Sequence, residues 1–107
     1  MSDLLYIAIC DLGDLPPGER LFIKVGDIPI VIINQDGEYY AIDDCCTHDD
    51  GPLGDGEVEN HEITCPRHGA RFDIRTGEVL SLPAVKGVRS FPLRVNGDQL
   101  EMGLEIE

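Results

Sequence analysis

The sequence predicts an all-β protein with one domain. Its apolar segments are short and rich in Val, Ile, Tyr and Phe, and turn residues separate them at regular intervals. A helical period is hard to find in the same segments. At 107 residues the chain is long enough for one modest core. These features favour short antiparallel strands that follow one another along the chain.

Turn residues set the order of the strands. Asp36-Gly37 and Asn96-Gly97 each separate two apolar runs, and glycine supplies the positive φ that a tight hairpin turn needs. The predicted strands are Leu4 to Ile9, Arg20 to Val25, Pro29 to Ile33, Glu38 to Asp43, Glu62 to Cys65, Arg71 to Ile74, Val88 to Val95 and Gln99 to Leu104.

Charge and hydropathy limit the possible partners and location. The formal net charge of -13 disfavours nucleic acid and anionic membranes, and a basic protein partner fits better, although acidity also serves solubility alone. No apolar run approaches the roughly 18 residues of a spanning helix. The amino terminus lacks the basic region of a secretory signal, so we expect a cytoplasmic protein without a membrane anchor.

The stretch from Asp43 to Gly56 breaks the β pattern. It combines two cysteines, one histidine, five aspartates and three glycines, which have little strand propensity. Loops of this composition commonly carry function. We therefore expect a loop-built site in the middle of the chain, on a base formed by the two ends.

Two short pairs of metal-binding residues follow the pattern C-x-H-x16-C-x-x-H. Cys46 and His48 form the first pair, and Cys65 and His68 form the second. Four such ligands suit either a zinc ion or an iron-sulfur cluster. Each pair mixes one cysteine with one histidine, which suits a binuclear cluster in which one iron takes both sulfurs and the other both nitrogens. A zinc-stabilised interaction domain is the alternative.

The segments Cys-Thr-His at 46–48 and Cys-Pro-Arg-His-Gly at 65–69 resemble the two cluster-binding loops of Rieske iron-sulfur proteins. The resemblance extends through Phe72-Asp-Ile-Arg-Thr-Gly-Glu78 and to Pro83, which resembles the proline loop over the cluster. It spans nearly the whole chain and is greatest to the soluble ferredoxins of bacterial ring-hydroxylating dioxygenases.

This resemblance implies a cofactor, a fold and partners. Cys46 and Cys65 would bind the inner iron of one 2Fe-2S cluster, and His48 and His68 the outer iron. The Rieske fold implies antiparallel sheets in a sandwich-like base, and the sequence pattern places this base at residues 1–42 and 83–107, with a cluster-binding subdomain at about 43–82. The chain would be a monomeric electron carrier, not an enzyme, between a flavin-containing ferredoxin reductase and a terminal oxygenase. A nitrite reductase small subunit is the alternative within this fold.

The resemblance also implies a low reduction potential. High-potential relatives carry a disulfide between the two loops, where this chain has Gly51 and Arg67. They also place a serine and a tyrosine as donors to sulfur, at positions that Ala70 and Phe72 occupy here. Without these donors, we expect a potential near the bottom of the Rieske range of roughly -150 to +300 mV.

Several reactive residues fall outside the ligand pattern. Cys10 and Cys45 are expected to be small packing residues, and His61 a solvated surface histidine in a polar turn. Arg67 and Arg71 flank His68, where they would either pair with a partner's carboxylate or balance local acidity.

Overall fold

The computed structural model describes residues 3–47 and 51–106, and this part of the chain is almost entirely β. The strands are β1 Asp3–Asp11, β2 Arg20–Val25, β3 Ile28–Gln35, β4 Glu38–Asp43, β5 Glu57–Glu59, β6 Glu62–Thr64, β7 Arg71–Asp73, β8 Ser90–Phe91, β9 Leu93–Asn96 and β10 Gln99–Ile106. A single 3-10 turn, Leu12–Asp14, follows β1. No helix in the described ranges has the length and apolar character to cross a membrane.

The strands form three antiparallel sheets. One has the order β1-β10-β9, the second β2-β3-β4-β8, and the third β5-β6-β7. Chain neighbours pair in most cases, while β1 and β10 bring the two ends together over their full length, with a bulge between Ala8 and Cys10. The predicted all-β class with antiparallel sheets is confirmed.

Strand β3 is buried on both faces, which explains its continuous apolar run. Ile30 and Ile32 face the first sheet and pack in a core with Leu100 and Met102. Val31 and Ile33 belong to a second core, which includes side chains of the third sheet and its loops. Alternate residues of one strand therefore serve two cores. We call the first the base core and the second the site core.

Tight turns fix the register of the hairpins. Asp36 and Gly37 both have positive φ, at 55° and 92°, as a type I′ turn requires. The β9–β10 turn differs from the expectation by one residue, because Asn96 pairs with Gln99 and the turn residues are Gly97 and Asp98. Gly97 alone of these two has positive φ, at 64°, which is the pattern of a type II′ turn.

Two strand predictions were incomplete. The expected strand from Val88 to Val95 is broken at Pro92, which has no N–H to donate to a ladder. Ser90 and Phe91 pair with β4, whereas the residues after Pro92 pair with β10 in the other sheet. Strand β5 was missed, since Glu57-Val58-Glu59 is short and charged and pairs only because β6 lies beside it.

Candidate functional site

Two buried cysteines form the centre of the site. Cys46 lies three residues after β4 ends, and Cys65 directly follows β6. Their exposed fractions are 0% and 1%, and both belong to the site core together with Leu53 and Phe72. The Cys46 thiol donates a hydrogen bond to the Cys65 sulfur. The two sulfurs are therefore neighbours beneath the surface, although 18 residues lie between them in the chain.

The two cysteine loops close in the same way. The backbone N–H of Cys46 donates to the carbonyl oxygen of Gly51 at 2.8 Å, and that of Cys65 donates to Ala70 at 2.7 Å. Each loop thus returns to its cysteine after five residues. The second loop is tightened further by the Gly69 N–H, which donates to the Cys65 carbonyl oxygen at 3.0 Å, with Gly69 at φ 78°. These bonds hold each sulfur at the base of a small loop.

The surroundings of Cys65 favour its thiolate. Burial raises the pKa of this thiol, but the backbone N–H groups of His68 and Arg67, the Cys46 thiol and the Arg67 charge together lower it below its usual 9.0. A thiolate is the form that binds metal. The site therefore stabilises the ionised sulfur that a cluster ligand must supply.

Of the two histidines in the ligand pattern, His68 alone lies within the described residues. His68 is exposed at the tip of the second loop, three residues after the buried Cys65. His48 lies outside the described residues, together with Asp49 and Asp50. In the described ranges no three His, Cys, Asp or Glu side chains gather around a position for one metal ion.

Two polar side chains, one from β2 and one that directly follows β4, hold the backbone that continues from the first cysteine loop. Asp44 Oδ1 accepts the backbone N–H groups of Leu53 and Gly54, at 2.9 and 2.6 Å. Arg20, on β2, donates to the carbonyl oxygens of Gly54 and Gly56. Sequence reasoning missed both. An aspartate before a glycine-rich loop is a usable signal, because such carboxylates cap backbone N–H groups, whereas Arg20 gave none.

A third segment covers the cysteines. Ala84 is buried in the site core beside them, after a cis peptide bond between Leu82 and Pro83. Thr47 Oγ1 donates to the carbonyl oxygen of Lys86 and so links this segment to the first cysteine loop. The expectation that the Pro83 segment lies over the site agrees with this arrangement.

Both arginines near His68 have partners within the chain. Arg71 lies 3.6 Å from Glu62 on the neighbouring strand, and its Nε contacts Ser81 Oγ at 3.4 Å. Arg67 Nη1 donates to the carbonyl oxygen of Pro52 at 2.6 Å. Arg71 therefore balances a nearby acidic residue, as one of the two expectations had it, whereas the contact of Arg67 crosses from one cysteine loop to the other.

The remaining reactive residues have structural surroundings. Cys10 packs against the base core, as expected, and burial and then the charges of Asp14 and Asp11 raise its thiol pKa above 9.0. Cys45 is half-buried, with its Sγ 4.0 Å from the Cys46 carbonyl oxygen, and a packing role stays a prediction. His61 is not simply solvated. The centroids of the His61 and Tyr40 rings lie 5.6 Å apart in an edge-on contact, because the β5–β6 turn folds back onto β4.

The donor set fits an iron-sulfur cluster. Two adjacent buried sulfurs, of which that of Cys65 accepts two backbone N–H donors, match the inner side of such a site, and the exposed imidazole of His68 matches its solvent edge.

Comparisons with known proteins agree. Residues 6–92 match the family described as Rieske [2Fe-2S] domain. The ferredoxin component of biphenyl 2,3-dioxygenase from Rhodococcus jostii is 40% identical over 97 residues, which cover 91% of each chain. The ferredoxin of carbazole 1,9a-dioxygenase from Nocardioides aromaticivorans is 30% identical with a TM-score of 0.83, covering 91% of this chain and 95% of its own.

A further solved structure holds a relative together with another protein. It is the complex of reduced oxygenase and oxidised ferredoxin in carbazole 1,9a-dioxygenase, with 28% identity, a TM-score of 0.82 and 91% of each chain covered. The family match favours one 2Fe-2S cluster over the zinc ion that the four ligands also allowed. The chain therefore belongs to the Rieske 2Fe-2S domain family.

Proposed function

We propose that this chain is a one-electron carrier that passes electrons from a flavin-containing ferredoxin reductase to a terminal oxygenase. It is an electron-transfer component rather than the catalytic subunit, as its relatives named ferredoxin components are. Residues of about 43–82 form the cluster-binding subdomain on a base from 1–42 and 83–107. The protein acts as a monomer in the cytoplasm.

One observation carries the proposal. Two adjacent, fully buried sulfurs come from the two cysteine loops, and the second loop also carries the exposed His68. Cys46 and Cys65 would hold the inner iron of one 2Fe-2S cluster, and His48 and His68 the outer iron. The buried side excludes water from the sulfurs, and the exposed side leaves an imidazole at the surface where a partner can approach.

The cluster, when bound, supplies reversible uptake and release of one electron. The protein's contribution is to shape and shield the site. Leu53 and Ala84 pack with the cysteines and keep solvent away from them. The N–H groups of Arg67 and His68, which donate to the Cys65 sulfur, favour its charged form. His68 remains exposed, so a partner that docks there lies close to the site.

The net charge points to the character of the docking partners. At -13 the protein has a strongly negative field, which favours a basic docking face on the reductase and on the oxygenase. The carbazole relative forms a complex with its oxygenase. By extension, we expect the oxygenase partner of this chain to contact the surface around His68, with association that weakens as salt is added.

The potential should lie at the low end for this family. Ala70 and Phe72 are fully buried beside the cysteines, and neither side chain has a hydroxyl to donate to sulfur. With fewer hydrogen bonds donated to its sulfurs, the reduced and more negative cluster is stabilised less, which lowers the reduction potential. We expect a midpoint below zero, and film voltammetry that places it well above zero would contradict this part of the proposal.

Ligand variants test the function directly. Cys65→Ser should abolish most of the visible absorption and the signal of the reduced cluster in electron paramagnetic resonance, because the buried thiolate is lost. Cys10→Ser, in the base, is the matched control and should retain both. Purified protein that is colourless and lacks acid-labile sulfide after anaerobic reconstitution would overturn the proposal.

A further inference from the structure

Arg67 joins the two cysteine loops. Its Nη1 donates to the carbonyl oxygen of Pro52 at 2.6 Å, across 15 residues of sequence. Its guanidinium also lies directly over Gly51. A Cβ placed on Gly51 would be 2.7 Å from Arg67 Cζ, 2.8 Å from Nη2 and 2.9 Å from Nε, which is closer than a Cβ atom approaches other heavy atoms. The space that a side chain at 51 would take is thus filled by Arg67.

The residues that Arg67 contacts are those that close the first loop. Gly51 accepts the N–H of Cys46 at 2.8 Å, so its carbonyl oxygen completes the loop around that cysteine. Pro52 follows it directly and is exposed. A guanidinium that holds both residues therefore fixes the end of the first loop, while its own backbone N–H donates to the Cys65 sulfur in the second.

We propose that Arg67 is a positioning residue that clamps the first cysteine loop onto the second and thereby slows the loss of the cluster. This inference rests on the proposed function, since it assumes that the two loops enclose a cluster. Glycine at 51 leaves room for the guanidinium, and a side chain there would push this flexible end of Arg67 aside. The role differs from docking, in which the Arg67 charge would face a partner protein.

The kind of contact distinguishes these two roles. The Pro52 acceptor is a neutral carbonyl oxygen of the same chain, so salt should weaken this hydrogen bond little. A guanidinium that pairs with a carboxylate on a partner would instead give an effect that salt abolishes.

Release of iron to a chelator from the holoprotein, followed by visible absorption, tests the clamp. Arg67→Ala should release iron about tenfold faster, the effect expected for loss of one charge-assisted hydrogen bond. Arg67→Lys, which keeps one donor, should be intermediate. Arg94→Ala is the matched control, because Arg94 pairs with Glu101 in the base, at 2.7 Å, and it should release iron at the wild-type rate.

A double-mutant cycle with Gly51 sharpens the test. Gly51→Ala should push the guanidinium aside and speed iron release in the wild type, yet add little in the Arg67→Ala background. Equal effects of Gly51→Ala in both backgrounds would overturn the proposal. So would an Arg67→Ala protein that releases iron at the wild-type rate.

Amide hydrogen exchange separates this inference from the proposed function. Without the clamp, the Cys46 N–H, which donates to Gly51, should exchange about tenfold faster, while amides of the base are unchanged. If the protein holds no cluster, the proposed function fails, but exchange at Cys46 still decides whether Arg67 clamps the loop. Unchanged exchange at Cys46 in Arg67→Ala would reject the clamp.

Discussion

The base and the site of this protein are held together by different forces. In the base, β1 and β10 form a long ladder, and β2, β3 and β4 pair along nearly their whole length over the base core. In the site the strands are short, at three residues each for β5, β6 and β7. The loops around the cysteines are instead fixed by single side chains, such as Asp44, that bond to backbone groups.

This difference separates the stability of the fold from that of the site. Ladder bonds and apolar burial are spread over many residues, so no single polar contact decides whether the base folds. The loops of the site are held by individual hydrogen bonds, such as those that Asp44 and Arg67 make to backbone groups near the first cysteine. Substitutions that remove one of these hydrogen bonds should therefore change how the loops are held before they change how the base unfolds.

Gly77→Ala should have the largest effect among variants that preserve the ligands. Gly77 has a φ of 82°, and a Cβ there would lie 1.9 Å from the carbonyl oxygen of Val88, a backbone atom of the segment that covers the site. We expect a loss of about 4 kcal/mol, because neither backbone can move without breaking the Val88 N–H bond to Gly77, at 2.8 Å. Thermal unfolding by circular dichroism measures it.

Gly97→Ala is the matched control in the base. Gly97 also has positive φ, at 64°, but no heavy atom lies within 4 Å of its Cβ position. Only the backbone strain remains, at about 1–2 kcal/mol. Equal losses of thermal stability in the two variants would show that φ alone matters and that close backbone approach does not distinguish the site.

Asp44→Ala should have the next largest effect, confined to the first loop. The N–H groups of Leu53 and Gly54 would lose their shared acceptor, at a local cost of about 3 kcal/mol for two charge-assisted bonds. Hydrogen exchange at these two amides should rise, and visible absorption should be lost on storage. Asp44→Asn retains an acceptor oxygen and should be milder.

A base that unfolds with the loop in Asp44→Ala would contradict the division into two regions. The expected result is that β3 and β10 amides exchange as in the wild type while Leu53 and Gly54 exchange faster. The cooperative units of the chain would then match the two regions.

Several strands and turns, and the approach of the two cysteine loops, could be predicted from the sequence because their signals are local. The Asp36-Gly37 turn and the apolar run of β3 are read within a few residues, and the bounds of β2 and β4 were predicted without error. The spacing of Cys46 and Cys65 indicated the paired loops that the structure brings together. In each case, residue type and spacing alone carry the physical cause.

Contacts between distant residues could not be predicted in the same way. Arg20 donates hydrogen bonds to the carbonyl oxygens of Gly54 and Gly56, which lie 34 and 36 residues further along the chain. No sequence pattern around an arginine in a strand predicts such a contact. The break at Pro92 depends on which sheet each half of the segment joins. The Arg67 contact likewise depends on how the two loops meet, which only the folded chain specifies.

The smallest predicted effect concerns the contact between the two regions at Tyr40. Burial, and then the charge of Glu38 and its hydrogen bond at 3.3 Å, raise the pKa of this phenol above 10.0. Since the folded state holds this proton more tightly than the unfolded state, its contribution to stability is complete below about pH 10 and is lost as pH rises through the folded-state pKa.

Ring-carbon NMR of Tyr40 tests this pH dependence. The variant Glu38→Gln should lower the pKa of the phenol only in part, because burial is the larger cause of the shift. Above the pKa, exchange at the His61 amide should rise more steeply with pH in the wild type than in Tyr40→Phe, since the charged phenolate disturbs the edge contact with His61. A Tyr40 titration that Glu38→Gln leaves unchanged would show that this carboxylate does not act on the contact between base and site.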